Sequence, residues 1–217
     1  SKLYKGGVWA NNEINLTGKS GEILGIVGPN GAGKTTLVRQ ITTELLPTSG
    51  CVSVLGHDVV EEPNKVKSLL GVVPQEAALF DYLTVYQPLR IFAKLRGLKP
   101  REAGAQAQQL IQDLDLMNHR DVLVRKLSGG LRRRVLVGIA ATARPPVMVL
   151  DEPTTGLDPQ SRRNLWSLLR RYREEGAFIL LTTHSMEEAE ALCDRVGIIK
   201  GGRVLALDTV DNLRANH

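Results

Sequence analysis

Short apolar runs rich in β-branched residues alternate, along the 217 residues of this chain, with longer stretches of helical character. This alternation is typical of an α/β protein whose sheet is mainly parallel. The Gly201-Gly202 pair predicts a hairpin turn into a last strand at residues 204–206. The other predicted strands lie at residues 22–27, 52–55, 70–73, 147–150, 178–182 and 195–199.

The pattern changes between residues 84 and 143. Strand character is weak in this part, and helical periodicity covers residues 102–114 and 129–143. We interpret it as a helical lobe inserted between two halves of the sheet. The predicted organisation is a single domain over residues 1–217, with a sheet core from 1–83 and 144–217 and a helical subdomain at 84–143.

A complete phosphate-binding loop follows the first predicted strand and precedes a helix-compatible run. Its glycines let backbone N–H groups point inward as an anion nest, and the helix adds its positive dipole end. We expect Lys34 at the surface edge of the sheet, facing the outer phosphates, and the Thr35 hydroxyl on Mg²⁺. An ordinary Gly-rich turn is the alternative, which the preceding strand, the lysine and the threonine together disfavour. The loop residues, which match G-x-x-x-x-G-K-[ST], are Gly28, Pro29, Asn30, Gly31, Ala32, Gly33, Lys34, Thr35 and Thr36.

Two later strands end in residues that suit phosphate chemistry. Asp151 and Glu152 follow the run at 147–150, which places two carboxylates at the carboxyl edge of the sheet, where ligands of such folds bind. Asp151 can hold Mg²⁺ through its water shell, and Glu152 can orient and deprotonate a water molecule. His184 follows the run at 178–182 and can face a terminal phosphate. The alternatives are a polar turn after a buried strand and a histidine of structural importance only.

A second anion site is predicted at Ser128, Gly129 and Gly130, which lie at the start of a helical run. A hydroxyl, free backbone N–H groups and the dipole end of the helix can together receive an anion. The alternative is a plain N-cap, in which Ser128 serves only its own helix. The sequence of this segment by itself is compatible with both.

Composition narrows the range of partners. The net charge of +5 is compatible with nucleic acid, an anionic membrane surface or nucleotide phosphates. Aromatic residues make up only 4%, so interleaved aromatic platforms for single-stranded nucleic acid are not expected. Cys51 and Cys193 lack the spacing of a disulfide framework or metal site, which suits a reducing cytosol. The apolar runs are too short to cross a bilayer, so we expect any membrane role to come through a partner.

Taken together, these motifs resemble those of the ATP-binding subunits of ABC transporters, over essentially the whole chain. The segment at residues 127–131 is similar to the signature motif of that family, which most other phosphate-loop proteins lack. Gln75 resembles the glutamine of the Q-loop, Asp158 the aspartate of the D-loop and His184 the switch histidine. Tyr4 resembles the aromatic residue that stacks on adenine, with Trp9 as a competitor.

The signature segment departs from the usual family pattern at its last position, where Leu131 stands in place of glutamine. Together with Arg132, Arg133 and Arg134, this leucine resembles the drug- and lipid-exporter branch of the family. The three arginines have two interpretations, a solvated helix face or an attraction for phosphate.

The resemblance implies a RecA-like P-loop NTPase core with a mainly parallel sheet, an antiparallel β portion near the N-terminus and an inserted α-helical subdomain. Two such domains, identical or different, would close head-to-tail around ATP and Mg²⁺. The implied roles are catalysis by Glu152, His184 and Gln75, metal binding by Thr35, Gln75 and Asp151, and nucleotide contact across the dimer by Ser128, Gly129, Gly130 and Asp158.

The implied partner beyond a second ATPase domain is a polytopic membrane subunit, contacted through the surface at residues 75–86, at the cytoplasmic face of the membrane. No direct contact with nucleic acid is expected. A soluble ABC ATPase acting on DNA or ribosomes is the main alternative, disfavoured because long coiled coils and a second cassette are missing. A catalytically inactive cassette conflicts with Lys34, Asp151, Glu152 and His184, and a P-loop kinase leaves the second anion site unexplained.

Overall fold

Six strands form the main sheet, in the order β10-β9-β3-β8-β7-β6, in a computed structural model that describes residues 1–75 and 80–215. Every neighbouring pair is parallel except β9 and β10, which form an antiparallel hairpin. The predicted α/β class with a mainly parallel sheet is therefore confirmed. The strands are β3 (Ile23–Val27), β6 (Leu70–Val73), β7 (Val147–Asp151), β8 (Phe178–Thr183), β9 (Arg195–Lys200) and β10 (Arg203–Thr209).

Helices cover both faces of this sheet, which explains why its central strands are continuously apolar. One face packs on α1 (Lys34–Ile41) and α2 (Pro63–Leu69), and the other on α5 (Gly129–Ala140), α6 (Pro159–Glu174) and α7 (Met186–Leu192). Successive residues of β3 alternate between the two cores, with Ile23 on one side and Leu24 on the other. The sheet is consequently a rigid base for the loops at its edge.

The chain between β6 and β7 is helical in the part that the structure describes. Its α-helices are α3 (Tyr86–Leu95), α4 (Pro100–Asp113) and α5, and the β pairing recorded there is a single bridge from Thr84 to Leu123. Gly138 of α5 lets this lobe pack closely, because a Cβ there would lie 2.8 Å from a methyl of Leu89. The helix predicted over residues 129–143 ends earlier, at Ala140, because Ala143 and Arg144 adopt positive φ before Pro145.

The antiparallel β portion expected near the N-terminus consists of two small hairpins. One joins β1 (Lys2–Leu3) to β2 (Trp9–Asn11), and the other joins β4 (Ser53–Val54) to β5 (His57–Asp58). The strand predicted at 52–55 therefore does not enter the main sheet: Leu55 has a φ of 50° and turns the chain back on itself. The last helix is α8 (Val210–Ala215). Throughout the described ranges, the helices lack the combination of length and apolar character needed to cross a membrane.

Candidate functional site

Four neighbouring strands of the sheet end at one edge, and each leads into a segment that the sequence singled out. The strands β3, β8, β7 and β6 are adjacent and parallel, so their carboxyl ends lie side by side. They lead into the phosphate loop, His184, Asp151 with Glu152, and Gln75 respectively. The fold thus gathers residues from distant parts of the sequence at the edge where ligands of open α/β sheets bind.

The phosphate loop is held in a shape that only glycine allows at one position. Gly33 has a φ of 107°, and a Cβ there would lie 2.2 Å from the carbonyl oxygen of Ala10. The Asn11 amide donates a hydrogen bond of 3.0 Å to the Gly33 carbonyl, which ties β2 to the loop. Helix α1 begins at Lys34, and no side chain of the described residues caps its first turn. Its first backbone N–H groups are therefore available to an anion.

Lys34 is buried rather than at the surface edge where the sequence placed it. Its side chain curls under the loop, and its ammonium donates to the carbonyl oxygens of Gly28 at 2.7 Å and Pro29 at 3.1 Å. The same nitrogen lies 3.6 Å from the carboxylate of Glu152. A pocket of about 210 Å³ beside these groups is also lined by Thr35 and Thr36. The ammonium of Lys34 is thus surrounded by oxygen atoms of the loop and of Glu152.

Asp151 and Glu152 have different environments at the end of β7. Asp151 is fully buried, and one carboxylate oxygen accepts a hydrogen bond from the Thr182 hydroxyl. Its other oxygen, Oδ2, is buried without a partner among the described residues. Because a buried carboxylate oxygen normally has a partner, this oxygen is suited to a metal-bound water or another ligand.

Glu152 adopts a φ of 50°, which is unusual for a residue with a side chain. Such a conformation costs roughly 1–3 kcal/mol and is found where the surrounding structure enforces it. The Glu152 carboxylate lies 3.2 Å from Nδ1 of His184 and accepts a hydrogen bond of 3.2 Å from the Thr155 hydroxyl. The side chain is therefore oriented from three sides by Lys34, His184 and Thr155.

Gln75 lies beside the start of α1, because its amide oxygen accepts a hydrogen bond of 3.2 Å from the Thr35 hydroxyl. The Thr35 hydroxyl, the Gln75 amide oxygen and the unpartnered Oδ2 of Asp151 are oxygen atoms of the kind that Mg²⁺ prefers. The residues present therefore fit a magnesium ion bound with phosphate. Residues 76–79 of the predicted partner surface at 75–86 lie outside the described residues.

The second anion site begins with a helix cap. Ser128 precedes α5, and its hydroxyl accepts a hydrogen bond of 3.3 Å from the Leu131 N–H. Ser128 is thus an N-cap of its own helix, as the alternative interpretation predicted. The same segment, however, lines an open cleft of about 710 Å³ that also contains Gln75 and Glu152. The glycines after Ser128 allow close approach: a Cβ on Gly130 would lie 3.0 Å from the carbonyl oxygen of Gly156.

Asp158 borders the same cleft and also caps a helix. Its carboxylate accepts hydrogen bonds from the backbone N–H of Ser161, at 2.9 Å, and from the Ser161 hydroxyl. These hydrogen bonds hold the pKa of Asp158 below its usual range, the bond from the hydroxyl contributing most. The predicted contacts of the dimer are therefore positioned by two rigid helix starts.

The three arginines after the signature segment do not share one environment. Arg132 is half-exposed and pairs with Asp81 at 2.8 Å. Arg134 is buried and donates to the carbonyl oxygens of Leu114 and Asp115, each at 3.0 Å. Arg133 is also buried, and it donates to backbone carbonyls at the ends of β6 and β7. A solvated face is thus wrong for Arg133 and Arg134, and the sequence pattern did not reveal that Arg133 reaches the site.

The two candidates for adenine stacking are both exposed aromatic residues near the N-terminus. Tyr4 follows β1, and the Lys2 ammonium lies 5.8 Å from the centre of its ring. Trp9 begins β2, and the next residue, Ala10, borders the pocket at the phosphate loop. The assignment of Tyr4 stays a prediction.

Comparison with known proteins gives consistent matches. The family model for "ABC transporter" matches residues 11–155. A daunorubicin resistance ATP-binding protein of Streptomyces coeruleorubidus is 43% identical over 93% of this chain, which spans 64% of that relative's length. Human phospholipid-transporting ATPase ABCA3 is 41% identical over 99% of this chain and 13% of its own length. The linearmycin resistance ATP-binding protein of Bacillus subtilis is 38% identical over 92% of the chain and 64% of its own.

Solved structures show the same architecture. An ATP-binding subunit of an ABC transporter superimposes with a TM-score of 0.88 and 29% identity, over 95% of this chain and 86% of that one. The ATP-binding cassette MJ0796, in a dimeric post-hydrolysis state bound to ADP and Pi, also has a TM-score of 0.88, with 25% identity over 97% of this chain and 94% of its own. The predicted P-loop NTPase core of an ABC ATPase is thereby confirmed.

Proposed function

Because the chain belongs to the ABC transporter family, we propose that it binds and hydrolyses ATP and so powers transport through a partner membrane subunit. The observation that carries this proposal is the convergence of four adjacent strand ends on the phosphate loop, His184, Glu152 and Gln75. Residues 1–217 act as one cassette. Its core lobe combines residues 1–83 and 144–217, and its helical lobe comprises residues 84–143.

The triphosphate binds in the nest formed by Gly28, Pro29, Asn30, Gly31, Ala32, Gly33, Lys34, Thr35 and Thr36. The Lys34 ammonium exchanges its carbonyl partners for phosphate oxygens, an exchange in which one set of hydrogen bonds replaces another. Thr35, Gln75 and Asp151 hold Mg²⁺ with the phosphates. The metal, when bound, neutralises charge that develops on the transferred phosphoryl group.

Glu152 is the general base that orients the attacking water and accepts its proton. His184, whose Nδ1 lies 3.2 Å from the Glu152 carboxylate, keeps that side chain directed toward the site and contacts the terminal phosphate. Gln75 contacts the same phosphate and couples its presence to the position of the helical lobe. An inactive regulatory cassette is not favoured, because the Lys34 ammonium lies 3.6 Å from the carboxylate of the proposed base, Glu152.

A second ATPase domain completes the site. Ser128, Gly129, Gly130 and Asp158 line the open cleft beside Glu152, and we expect them to contact the nucleotide of the partner. The dimeric state of MJ0796 with ADP and Pi supports this arrangement. The membrane subunit binds at residues 75–86, on the cytoplasmic face of the membrane. The drug-resistance and phospholipid-transporting relatives support an amphipathic drug or lipid as the transported substrate.

The replacement Glu152→Gln tests this proposal. It removes the base and keeps the size of the side chain, so steady-state hydrolysis of Mg-ATP should fall by about 10²–10⁴-fold. Thermal unfolding of the same sample should still show stabilisation by Mg-ATP. Glu174→Gln, at the exposed end of α6, is the matched control and should hydrolyse ATP at the wild-type rate. Near-normal hydrolysis in the Glu152→Gln protein would remove Glu152 from the mechanism.

A further inference from the structure

Arg133 is a buried arginine whose recorded hydrogen bonds all go to backbone carbonyl oxygens. Its Nη1 donates to Pro74 at 2.7 Å and to Gln75 at 3.2 Å. Its Nη2 donates to Glu152 at 2.8 Å and, at still closer range, to Asp151, and its Nε donates to Pro153 at 3.4 Å. The guanidinium therefore bonds to both strand ends that carry the metal-binding and base candidates.

These contacts join three separate segments of the chain. Arg133 itself lies in α5, five residues after Ser128 in the sequence. Residues 74 and 75 follow β6, and residues 151–153 lie at the end of β7. A single side chain thus holds the first turns of α5, the last helix of the helical lobe, against the Gln75 turn and the Glu152 turn at the same time.

The electrostatics of Arg133 show that this contact is not an ordinary ion pair. Burial lowers the pKa of its guanidinium, while the nearby charges of Asp151 and Glu152 raise it and partly offset that effect. Its hydrogen-bond partners are carbonyl dipoles and not carboxylate oxygens. Arg133 therefore does not occupy the Asp151 and Glu152 carboxylates, whose contacts are with Thr182 and with Lys34, His184 and Thr155 respectively.

Glu152 is the residue most dependent on this arrangement. Its backbone has a φ of 50°, and its N–H donates to the Thr182 carbonyl at 3.1 Å. Arg133 binds the carbonyl on the other side of the same residue. An unusual backbone conformation persists only where its surroundings enforce it. Here Thr182 binds the Glu152 N–H, and the Glu152 carbonyl accepts from both Arg133 and, at 3.3 Å, the Thr155 N–H. Arg133 is the one of these groups that comes from the helical lobe.

We propose that Arg133 is a positioning residue that fixes the Glu152 and Gln75 turns in register with the Ser128 segment. The inference rests on the proposed ATPase function. Arginine suits this role because its planar group presents several donors in a fixed fork, whereas the lysine ammonium is a compact charge on a flexible stem. Movement of the base by about 1 Å can cost on the order of 10²-fold in rate, so this fork acts on catalysis without touching substrate.

The test compares Arg133→Gln and Arg133→Lys with a matched control, Arg96→Gln. Arg96 is a half-buried arginine that also ties the helical lobe to the sheet: it donates to the Leu70 carbonyl at 2.8 Å, and burial lowers its pKa too. Leu70, however, lies at the start of β6, the opposite end of the strand from Gln75. The control therefore removes a lobe-to-sheet contact of the same kind away from the site.

For each protein we measure kcat and KM for Mg-ATP, the melting temperature, and amide hydrogen exchange at Asp151 and Glu152. Arg133→Gln should lower kcat by at least about tenfold and leave KM within about threefold. Its amide exchange at Asp151 and Glu152 should be faster than in the wild type. Arg133→Lys should retain the fold and show an intermediate kcat. Arg96→Gln should lower the melting temperature but keep the wild-type kcat.

A wild-type kcat in either Arg133 variant, or an equal loss of kcat in Arg96→Gln, overturns the inference while leaving the ATPase function intact. If Arg133→Gln does not fold, the kcat of the Arg133→Lys protein is compared with those of the wild type and Arg96→Gln instead, and the same outcomes apply. An inactive wild-type protein, in contrast, overturns the proposed function and this inference with it.

Discussion

The Lys34 ammonium is shared among two backbone carbonyls and the Glu152 carboxylate. We expect a phosphate to attract the same ammonium and to weaken its contact with Glu152. On this proposal, triphosphate binding and the freedom of the Glu152 carboxylate are linked through one side chain.

The replacement Lys34→Ala should remove most of the stabilisation that ATP gives to the fold. At an ATP concentration about 100 times the dissociation constant, the wild-type protein gains about 2.7 kcal/mol of unfolding free energy. The variant, which lacks the phosphate ligand, should gain little at the same concentration. Thermal unfolding with and without Mg-ATP measures both gains.

The control for this experiment is Lys200→Ala, because Lys200 is exposed at the end of β9. The Lys200→Ala protein should be stabilised by Mg-ATP as much as the wild-type protein is. Equal stabilisation of the wild-type and Lys34→Ala proteins would show that Lys34 is not a phosphate ligand.

Single residues with chemical motifs could be predicted from the sequence, whereas their packing could not. The spacing of the phosphate loop places Lys34 and Thr35 at fixed positions, so the sequence singles both out as phosphate and metal ligands. The contact between Lys34 and Glu152 could not be predicted, because Glu152 lies more than a hundred residues away in the sequence. Arg133 was missed for the same reason, since its carbonyl partners come from two other strands.

At the level of elements, two helices begin at the cleft, and each start is fixed by a capping side chain. Ser128 caps α5 and Asp158 caps α6. Since a cap satisfies backbone donors in the first turn, it also fixes the direction in which that turn points. The same two residues are those expected to contact a partner, so a substitution there alters both stability and assembly.

The replacement Asp158→Ala should lower the melting temperature at neutral pH, and the loss should depend on pH. The folded state lowers the pKa of Asp158, chiefly through the Ser161 hydroxyl. Its contribution is therefore fully present above the pKa of the unfolded chain, about 3.9, and is lost as the pH falls through the lower folded value. The melting temperatures of the wild-type and Asp158→Ala proteins are measured between pH 7 and pH 2.5. The difference between the two melting temperatures should shrink below about pH 4.

The replacement Asp158→Ser keeps a side chain that can cap the helix but removes the carboxylate, so it distinguishes the two contributions to stability. Serine is a good N-cap, so this variant should regain most of the stability that alanine loses. If the melting temperatures of wild type and Asp158→Ala differ by the same amount at every pH, the lowered pKa of Asp158 is not the origin of the lost stability.

Long elements were predictable because their pattern repeats over many residues. The buried strands β6, β7 and β8 appear as continuous apolar runs, and β6 was predicted with its observed bounds. The strands β1 and β5 each have two residues, too few for any period to be recognised. Helix α2, with seven residues, was not predicted for the same reason.

For the whole molecule, we expect the cleft beside Ser128 to determine whether two copies can dimerise around ATP. We predict that Mg-ATP causes the Glu152→Gln protein to dimerise and that adding Ser128→Arg prevents it. A bulky side chain at this position would occupy the space needed by the phosphates of the partner's nucleotide. Sedimentation velocity at high protein concentration with excess Mg-ATP measures the dimer.

The control adds Ser68→Arg, which introduces the same group on the exposed side of α2. That protein should dimerise as the Glu152→Gln protein does. A dimer of equal stability with Ser128 intact and replaced would show that the segment is only a helix cap.

The pairing of β3 with β8 affects how the chain is made in the cell. Ile23 lies opposite Ile179, so the strand that carries the phosphate loop is synthesised long before its neighbour. Pairing between such distant segments is slow, because a large loop must close before any contact forms. Until then β3 is an apolar strand with two open edges, a surface prone to aggregation. ATP cannot protect the growing chain at this stage, since the other half of its site does not yet exist.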